Sequence, residues 1–132
     1  SSGGAIISPS KCRDGILTTA CILALVANEG KSLKSIIDKL PKYFTLRKNI
    51  EFKQENYDSI VRNINRHYSD KKLKIKSLNG SIKVAFGRGS FVWFRASKTE
   101  SGVFRVIADS NDEAEAKSLL QEAEKVFKDA GK

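Results

Sequence analysis

A chain of 132 residues with 40% apolar and 30% charged side chains holds one domain or one and a half, and is too apolar to be disordered. Its longest uninterrupted apolar run, residues 20–27, is far too short for a membrane-spanning helix, and no charged-then-apolar opening predicts a secretory signal. A net charge of +9 suits an anionic partner, whether nucleic acid, a phosphorylated small molecule or an acidic protein face.

The charge is uneven. Residues 1–30 balance, residues 31–100 carry 17 basic and 6 acidic side chains, and residues 101–132 carry 5 and 7. Cys12 and Cys21 lack a CxxC partner and read as reduced thiols of a cytoplasmic protein rather than a disulfide or zinc framework. His67 is the only histidine, which excludes His-rich metal sites and argues against Ser–His or Cys–His catalysis.

In chain order, residues 1–9 read as a loop entering a short strand. Asp14 then caps an apolar helix carrying Ile16, Leu17, Ala20, Cys21, Ala24 and Leu25, which Gly30 ends. Leu23 and Val26 widen its face, so burial on most sides is expected, against neighbours this chain does not itself hold. Ser32 begins a second helix with Leu33, Ile36, Ile37 and Leu40 on one face, and Pro41 stops it. Residues 43–52 alternate as a strand, and Asn56 is placed to cap a helix bearing Tyr57, Ile60, Val61, Ile64 and Tyr68. From Leu73 the period becomes two. Asn79-Gly80 signals a hairpin and Gly87-Arg88-Gly89 another turn, giving strands at 73–78, 82–86, 91–95 and 103–108. A last amphipathic helix starts near Asp112, with Ala116, Leu119, Leu120, Ala123, Phe127 and Ala130 inward. The order α-α, then β-α-β-β-β-β-α, predicts an α+β fold with an antiparallel sheet packed on two helices.

The loop at residues 95–102 offers a guanidinium (Arg95), two hydroxyls (Ser97, Thr99), an ammonium (Lys98) and free backbone amides between two apolar strands. Those groups fit a phosphate: a planar fork for its oxygens, with hydroxyls and amides completing a cradle. The plainer reading is a polar turn in which Ser97 or Thr99 bonds the local backbone. Phe91, Trp93 and Phe94 near basic residues allow a stacking platform for single-stranded nucleic acid, against which alternation favours a core role for most of them. His67 reads as a surface residue, Lys71, Lys72, Lys74 and Lys76 as a solvated strand face, and Glu113, Glu115, Glu122 and Glu124 as the wet side of the last helix.

Residues 91–109, FVWFRASKTESGVFRVIAD, resemble the phosphate-binding loop in the last domain of the α-D-phosphohexomutases. That family's pattern is an arginine, Ser-Gly-Thr-Glu-Pro or a variant, then a strand with a second arginine and an acidic end. Arg95, Ser97, Thr99, Glu100, Arg105 and Asp109 stand in the corresponding places. Ser2-Gly3-Gly4 followed by Cys12-Arg13-Asp14-Gly15 is similar to the third domain's sugar-binding loop and the helix after it, in the archaeal-type version. Lys98 replaces the usual glycine, Ser101 the usual proline, and Gly4 a common histidine. The glutamate expected before Ser1 is missing, as for a cut through that loop.

The resemblance implies the tail of domain 3 over residues 1–48 and a domain 4 of TATA-binding-protein-like fold over 49–132. It implies a mutase interconverting hexose 1-phosphate and hexose 6-phosphate by phosphoryl transfer through a serine. Arg95, Ser97, Lys98 and Thr99 would bind the substrate's non-reacting phosphate, and Ser2 the sugar. The phosphoserine and Mg2+ would lie outside this chain, leaving it inactive alone, with the N-terminal domains of the same protein as its partners and no nucleic acid or membrane. The alternative is a basic α+β nucleic-acid-binding module with Trp93, Arg95 and Lys98 at its surface.

Overall fold

Asp14 accepts a hydrogen bond from the amide of Leu17 and so caps α1 (Gly15–Glu29), while Gly30 closes it in the left-handed conformation at φ 60°. This comes from a computed structural model that describes residues 5–78, 80–87 and 89–131. Ser32 caps the short α2 (Leu33–Ile37), which is followed by single-turn hydrogen bonds from Lys39 and Leu40, so the helix stops before Pro41. The short strand expected near the start is reduced to one isolated bridge, Ala5 to Asp14. Within this chain α1 is uncovered, as expected of a helix whose neighbours lie elsewhere: none of its residues is buried, and Ile16 is 86% and Leu23 63% exposed. Its apolar side chains are spread around the helix, so they have no single face to turn toward a core.

The chain divides into two compact units, Ser1–Pro41 and Lys42–Lys132. The second contains β1 (Phe44–Glu51), a 3-10 turn at Gln54–Asn56, α3 (Tyr57–Asp70), β2 (Lys74–Leu78), β3 (Ser81–Gly87), β4 (Ser90–Ala96), β5 (Val103–Ser110) and α4 (Glu113–Ala130). The strands form one antiparallel sheet in the order β1-β5-β4-β3-β2. Period-two burial along β4 and β5 sends Val92, Phe94, Phe104, Val106 and Ala108 into the core. There they meet Ile60, Ile64 and Tyr68 of α3 and Leu119, Ala123, Val126 and Phe127 of α4. The α+β architecture, its sheet packed on two helices, is as the periodicity predicts.

Some local expectations need correction. Asn56 makes no capping hydrogen bond, because the preceding 3-10 turn has already placed it in helical conformation. Of the three aromatic residues on β4, only Phe94 is buried; Phe91 and Trp93 are half-buried on the other face, away from the core. His67 is half-buried, edge-on to Tyr68 with ring centroids 5.0 Å apart, and its Nε2 is enclosed without a hydrogen bond. Burial, and secondarily the charge of Glu122, pushes the Tyr68 hydroxyl far above its ordinary pKa. Glu115 reaches back to the sheet: Ser90 Oγ donates to its Oε2 at 2.7 Å and Ser110 Oγ donates to the same oxygen. Ser110 Oγ also accepts from the amide of Asp112, so this polar knot fixes the start of α4 to the ends of β4 and β5.

The β2–β3 turn is held from outside. Tyr57 Oη donates to the carbonyl of Gly80 at 2.8 Å, and Gly80 sits at φ +73°. A Cβ on Gly80 would fall 2.1 Å from that hydroxyl. Gly80→Ala should therefore lower stability by about 1–2 kcal/mol, through the left-handed backbone and displacement of Tyr57. Chemical denaturation of the two chains measures it; an unchanged midpoint would place the turn elsewhere.

Candidate functional site

The loop between β4 and β5 is tied at its base, where the Ser97 amide donates to the Val103 carbonyl at 2.8 Å. Inside it, Ser97 Oγ accepts from the amides of Thr99 (3.4 Å) and Glu100 (3.2 Å). It lies 3.5 Å from Thr99 Oγ1 and donates to Glu100 Oε2 at 3.2 Å. The local turn read from the sequence is thus present, and Ser97 makes it. Gly102 closes the loop at φ +71°, with the Phe52 carbonyl 3.3 Å from where a Cβ would be. Lys98 and Thr99 are exposed at the tip. Ser2 lies outside the described residues.

Arg95 stands at the end of β4 on the face turned away from the helices. Its guanidinium carbon is 5.0 Å from the ring centre of Trp93, two residues earlier on the same face. Directly opposite across the ladder is Arg105 of β5. The Nε atoms of both arginines are enclosed and make no hydrogen bond. Arg105 is only 21% exposed and forms an ion pair with Glu100. Bonds from Arg105, then Ser97, hold the Glu100 carboxyl below the usual carboxylate pKa, and the charge of Arg47 adds to the effect.

Two like charges directly opposite on one sheet face repel, unless an anion lies between or beside them. Here the pair sits where a hydroxyl-bearing loop begins and ends. The arrangement brings together Arg95, Ser97 and Thr99, and adds Arg105, which periodicity alone did not assign to the site. Alternation along β5 puts Arg105 and Ile107 on the open face, but the partner across the ladder depends on register, which the loop sets.

The rest of the open face is mixed: Lys74 and Lys76 of β2 are exposed and Lys83 Nζ stands 3.4 Å from the Phe91 ring centre, while Glu51 of β1 and Asp109 of β5 put carboxylates on the same face as Arg105. Lys71, read as part of a strand face, belongs to the turn after α3 and pairs with Glu122 at 2.5 Å. Glu124 pairs with Lys48 and Lys128. On the helix side, α3 and α4 flank a cleft of about 570 Å³ lined by Arg66, His67, Asp70, Lys71, Glu122 and Lys125. Its charges are mixed, and none of the loop residues reaches it.

Among the described residues, no three His, Cys, Asp or Glu side chains come together to hold a metal ion, and Asp14 is occupied in capping α1. The residues present do not fit a magnesium site. Among them, no helix is long and apolar enough to cross a membrane.

Residues 1–44 match the family profile of the phosphoglucomutase/phosphomannomutase alpha/beta/alpha domain III. Over 128 residues the chain is 32% identical to the phosphoglucosamine/phosphogalactosamine mutase of Sulfurisphaera tokodaii, covering 94% of this chain and 27% of that protein. It is 32% identical over 120 residues to the phosphoglucomutase/phosphomannomutase of Thermococcus kodakarensis, covering 89% of this chain and 25% of that one. It spans about a quarter of the length of these curated relatives. The fold is shared with parafusin, a phosphoglucomutase of Paramecium crystallised in an open form, at a TM-score of 0.63 and 14% identity over 93% of this chain and 28% of that one. These similarities do not favour a nucleic-acid-binding module. The chain belongs to the phosphoglucomutase/phosphomannomutase family of α-D-phosphohexomutases, as a C-terminal portion of it.

Proposed function

We propose that this chain is the phosphate-anchoring part of a mutase that interconverts hexose 1-phosphate and hexose 6-phosphate. The unit Ser1–Pro41 is then the tail of domain 3 and the unit Lys42–Lys132, which holds β1 whole, is domain 4, so the boundary falls a few residues before the 48/49 read from the sequence. The observation that carries the reading is the Arg95–Arg105 pair facing across β4 and β5 at the base of the Ser97 loop. Two half-buried guanidiniums, each with an Nε that makes no hydrogen bond, stand beside hydroxyls and loop amides and match the oxygens of a phosphate. Lys98 adds charge at the rim, and Thr99 a hydroxyl at the tip.

The role is positioning. By holding the phosphate that does not react, the loop fixes which end of the sugar meets the transferring group, a contribution made through orientation. On this reading the transferring serine and the magnesium implied by the family resemblance belong to other parts of the protein, and this part binds and does not turn over. The names of the relatives, which span glucose, mannose, glucosamine and galactosamine phosphates, support a sugar phosphate as the ligand class.

Titration of the isotope-labelled chain with inorganic phosphate and glucose 1-phosphate tests this. Both should shift the amides of residues 95–102, weakly and saturably, with no conversion of the sugar phosphate. Phosphate leaving those amides unmoved, while an oligonucleotide shifts residues 74–83, would overturn it.

A further inference from the structure

Glu100 is the one acidic side chain in the loop, and it bonds the groups a phosphate would need. Its Oε2 accepts from Ser97 Oγ at 3.2 Å and pairs with the guanidinium of Arg105. We propose that the Glu100 carboxylate is an internal stand-in for the substrate phosphate, so that phosphate enters this loop by exchange with Glu100 rather than by filling an empty cradle. The inference rests on the phosphate reading of the loop and deepens it.

The physical need for such a stand-in is clear from the charges. Arg105 faces Glu100 from β5, Arg47 of β1 acts on it through space, and Arg95 of β4 stands beside Arg105. Lys98 is in the loop itself. An unliganded loop without Glu100 would leave these cations to repel one another and would leave Ser97 Oγ only the longer contact to Thr99 Oγ1, at 3.5 Å, to donate to. Glu100 offsets both, and its own amide bond to Ser97 Oγ at 3.2 Å keeps it in place. Its carboxyl is solvent-exposed, so the ion pair is weak enough to yield to a dianion. Glu100 is thus a positioning residue. It keeps Arg105 and Ser97 oriented between turnovers and sets how tightly a phosphate must bind to displace it.

The expected direction is unusual: removing a residue from the site tightens binding. Sulfate is the better probe, because its charge stays constant through the carboxylate range while that of inorganic phosphate does not. Affinities come from saturation of the amide shifts of residues 95–102 in the 132-residue chain. Glu100→Gln should bind sulfate about two- to fivefold more tightly than the unaltered chain, the range set by a surface ion pair. Glu100→Asp, which keeps the charge on a shorter arm, should fall between them. For the unaltered chain, sulfate affinity should rise as pH drops through the Glu100 titration, since the protonated carboxyl releases Arg105. That rise should shrink in Glu100→Gln to the part that the other carboxylates of this face, Glu51 and Asp109, contribute.

Sulfate binding that is equal or weaker in Glu100→Gln, with the shifts still at residues 95–102, would overturn the exchange and leave the phosphate site standing. A pH dependence of undiminished size in Glu100→Gln would overturn it as well. Loss of sulfate and phosphate binding by every variant, the unaltered chain included, would remove the site and the exchange together.

Discussion

Phe104→Ala should lower the stability of the second unit by about 3–5 kcal/mol, enough to leave a marginal domain largely unfolded. Phe104 has no exposed surface and sits on β5, between β1 and β4, opposite Ile50 on one side and Ala96 on the other. Its ring meets that of Phe127 of α4 at 4.9 Å and stands edge-on to Phe52 at 5.3 Å. Tyr57, at the start of α3, is 6.1 Å away. One side chain therefore joins the sheet, both of its helices and the segment after β1. Truncation removes the transfer free energy and also leaves a cavity that four elements would have to collapse together to fill. Phe104→Leu keeps most of the volume and should cost under about 1.5 kcal/mol. Denaturation midpoints for the two variants give the comparison; a loss below about 1 kcal/mol for alanine would mean that this cluster is not the centre of the core. Because Arg105 is the next residue, the alanine variant should also loosen the open-face arginine pair.

The core around Phe104 was legible because its signals are local. Period-two alternation marked strands at 91–95 and 103–108, which carry Phe94, Phe104 and Val106, and the 3.6-residue spacing of Leu119, Ala123 and Phe127 marked the helix that covers them. Asn79-Gly80 marked the first hairpin, with Gly80 at positive φ as such a turn needs.

What failed was non-local. The apolar composition of α1 says that cover is wanted, and it does not say what supplies it. Phe91 and Trp93 were assigned to the right face, opposite Phe94. That this face is open could not be read from the strand itself, since it depends on both helices crossing the same side. Arg105 entered the site through register: with β4 and β5 joined by a loop closing at Ser97 and Val103, Arg95 can face only Arg105. The role of Glu100 followed from that pairing, and no spacing rule would have matched it to an arginine five residues on across a strand boundary.

Arg95→Ala should abolish most phosphate binding while leaving the fold intact, and the contrast between those two outcomes is what identifies its role. A hydrogen bond to a charged group is worth roughly 1.5–3 kcal/mol, about a tenfold to a hundredfold loss of affinity. No ion pair is seen for Arg95 among the described residues; its guanidinium lies over the face of Trp93, at 5.0 Å. The variant therefore breaks no ion pair, and it relieves repulsion with Arg105 across the ladder. Stability should change by less than about 0.5 kcal/mol, the usual range for a surface position away from the core. Arg95→Lys keeps the charge but loses the planar fork, so it should recover only part of the affinity. Ser97→Ala should behave differently. It weakens binding less than Arg95→Ala, since the guanidinium remains, yet it disturbs the loop more, because Ser97 Oγ holds the amides of Thr99 and Glu100. Lys98→Gly, which restores the residue usual in the family, should lose little. Sulfate or phosphate titrations paired with denaturation midpoints separate these cases. Equal phosphate affinity in Arg95→Ala and the unaltered chain would show that the guanidinium facing Arg105 does not contact the anion.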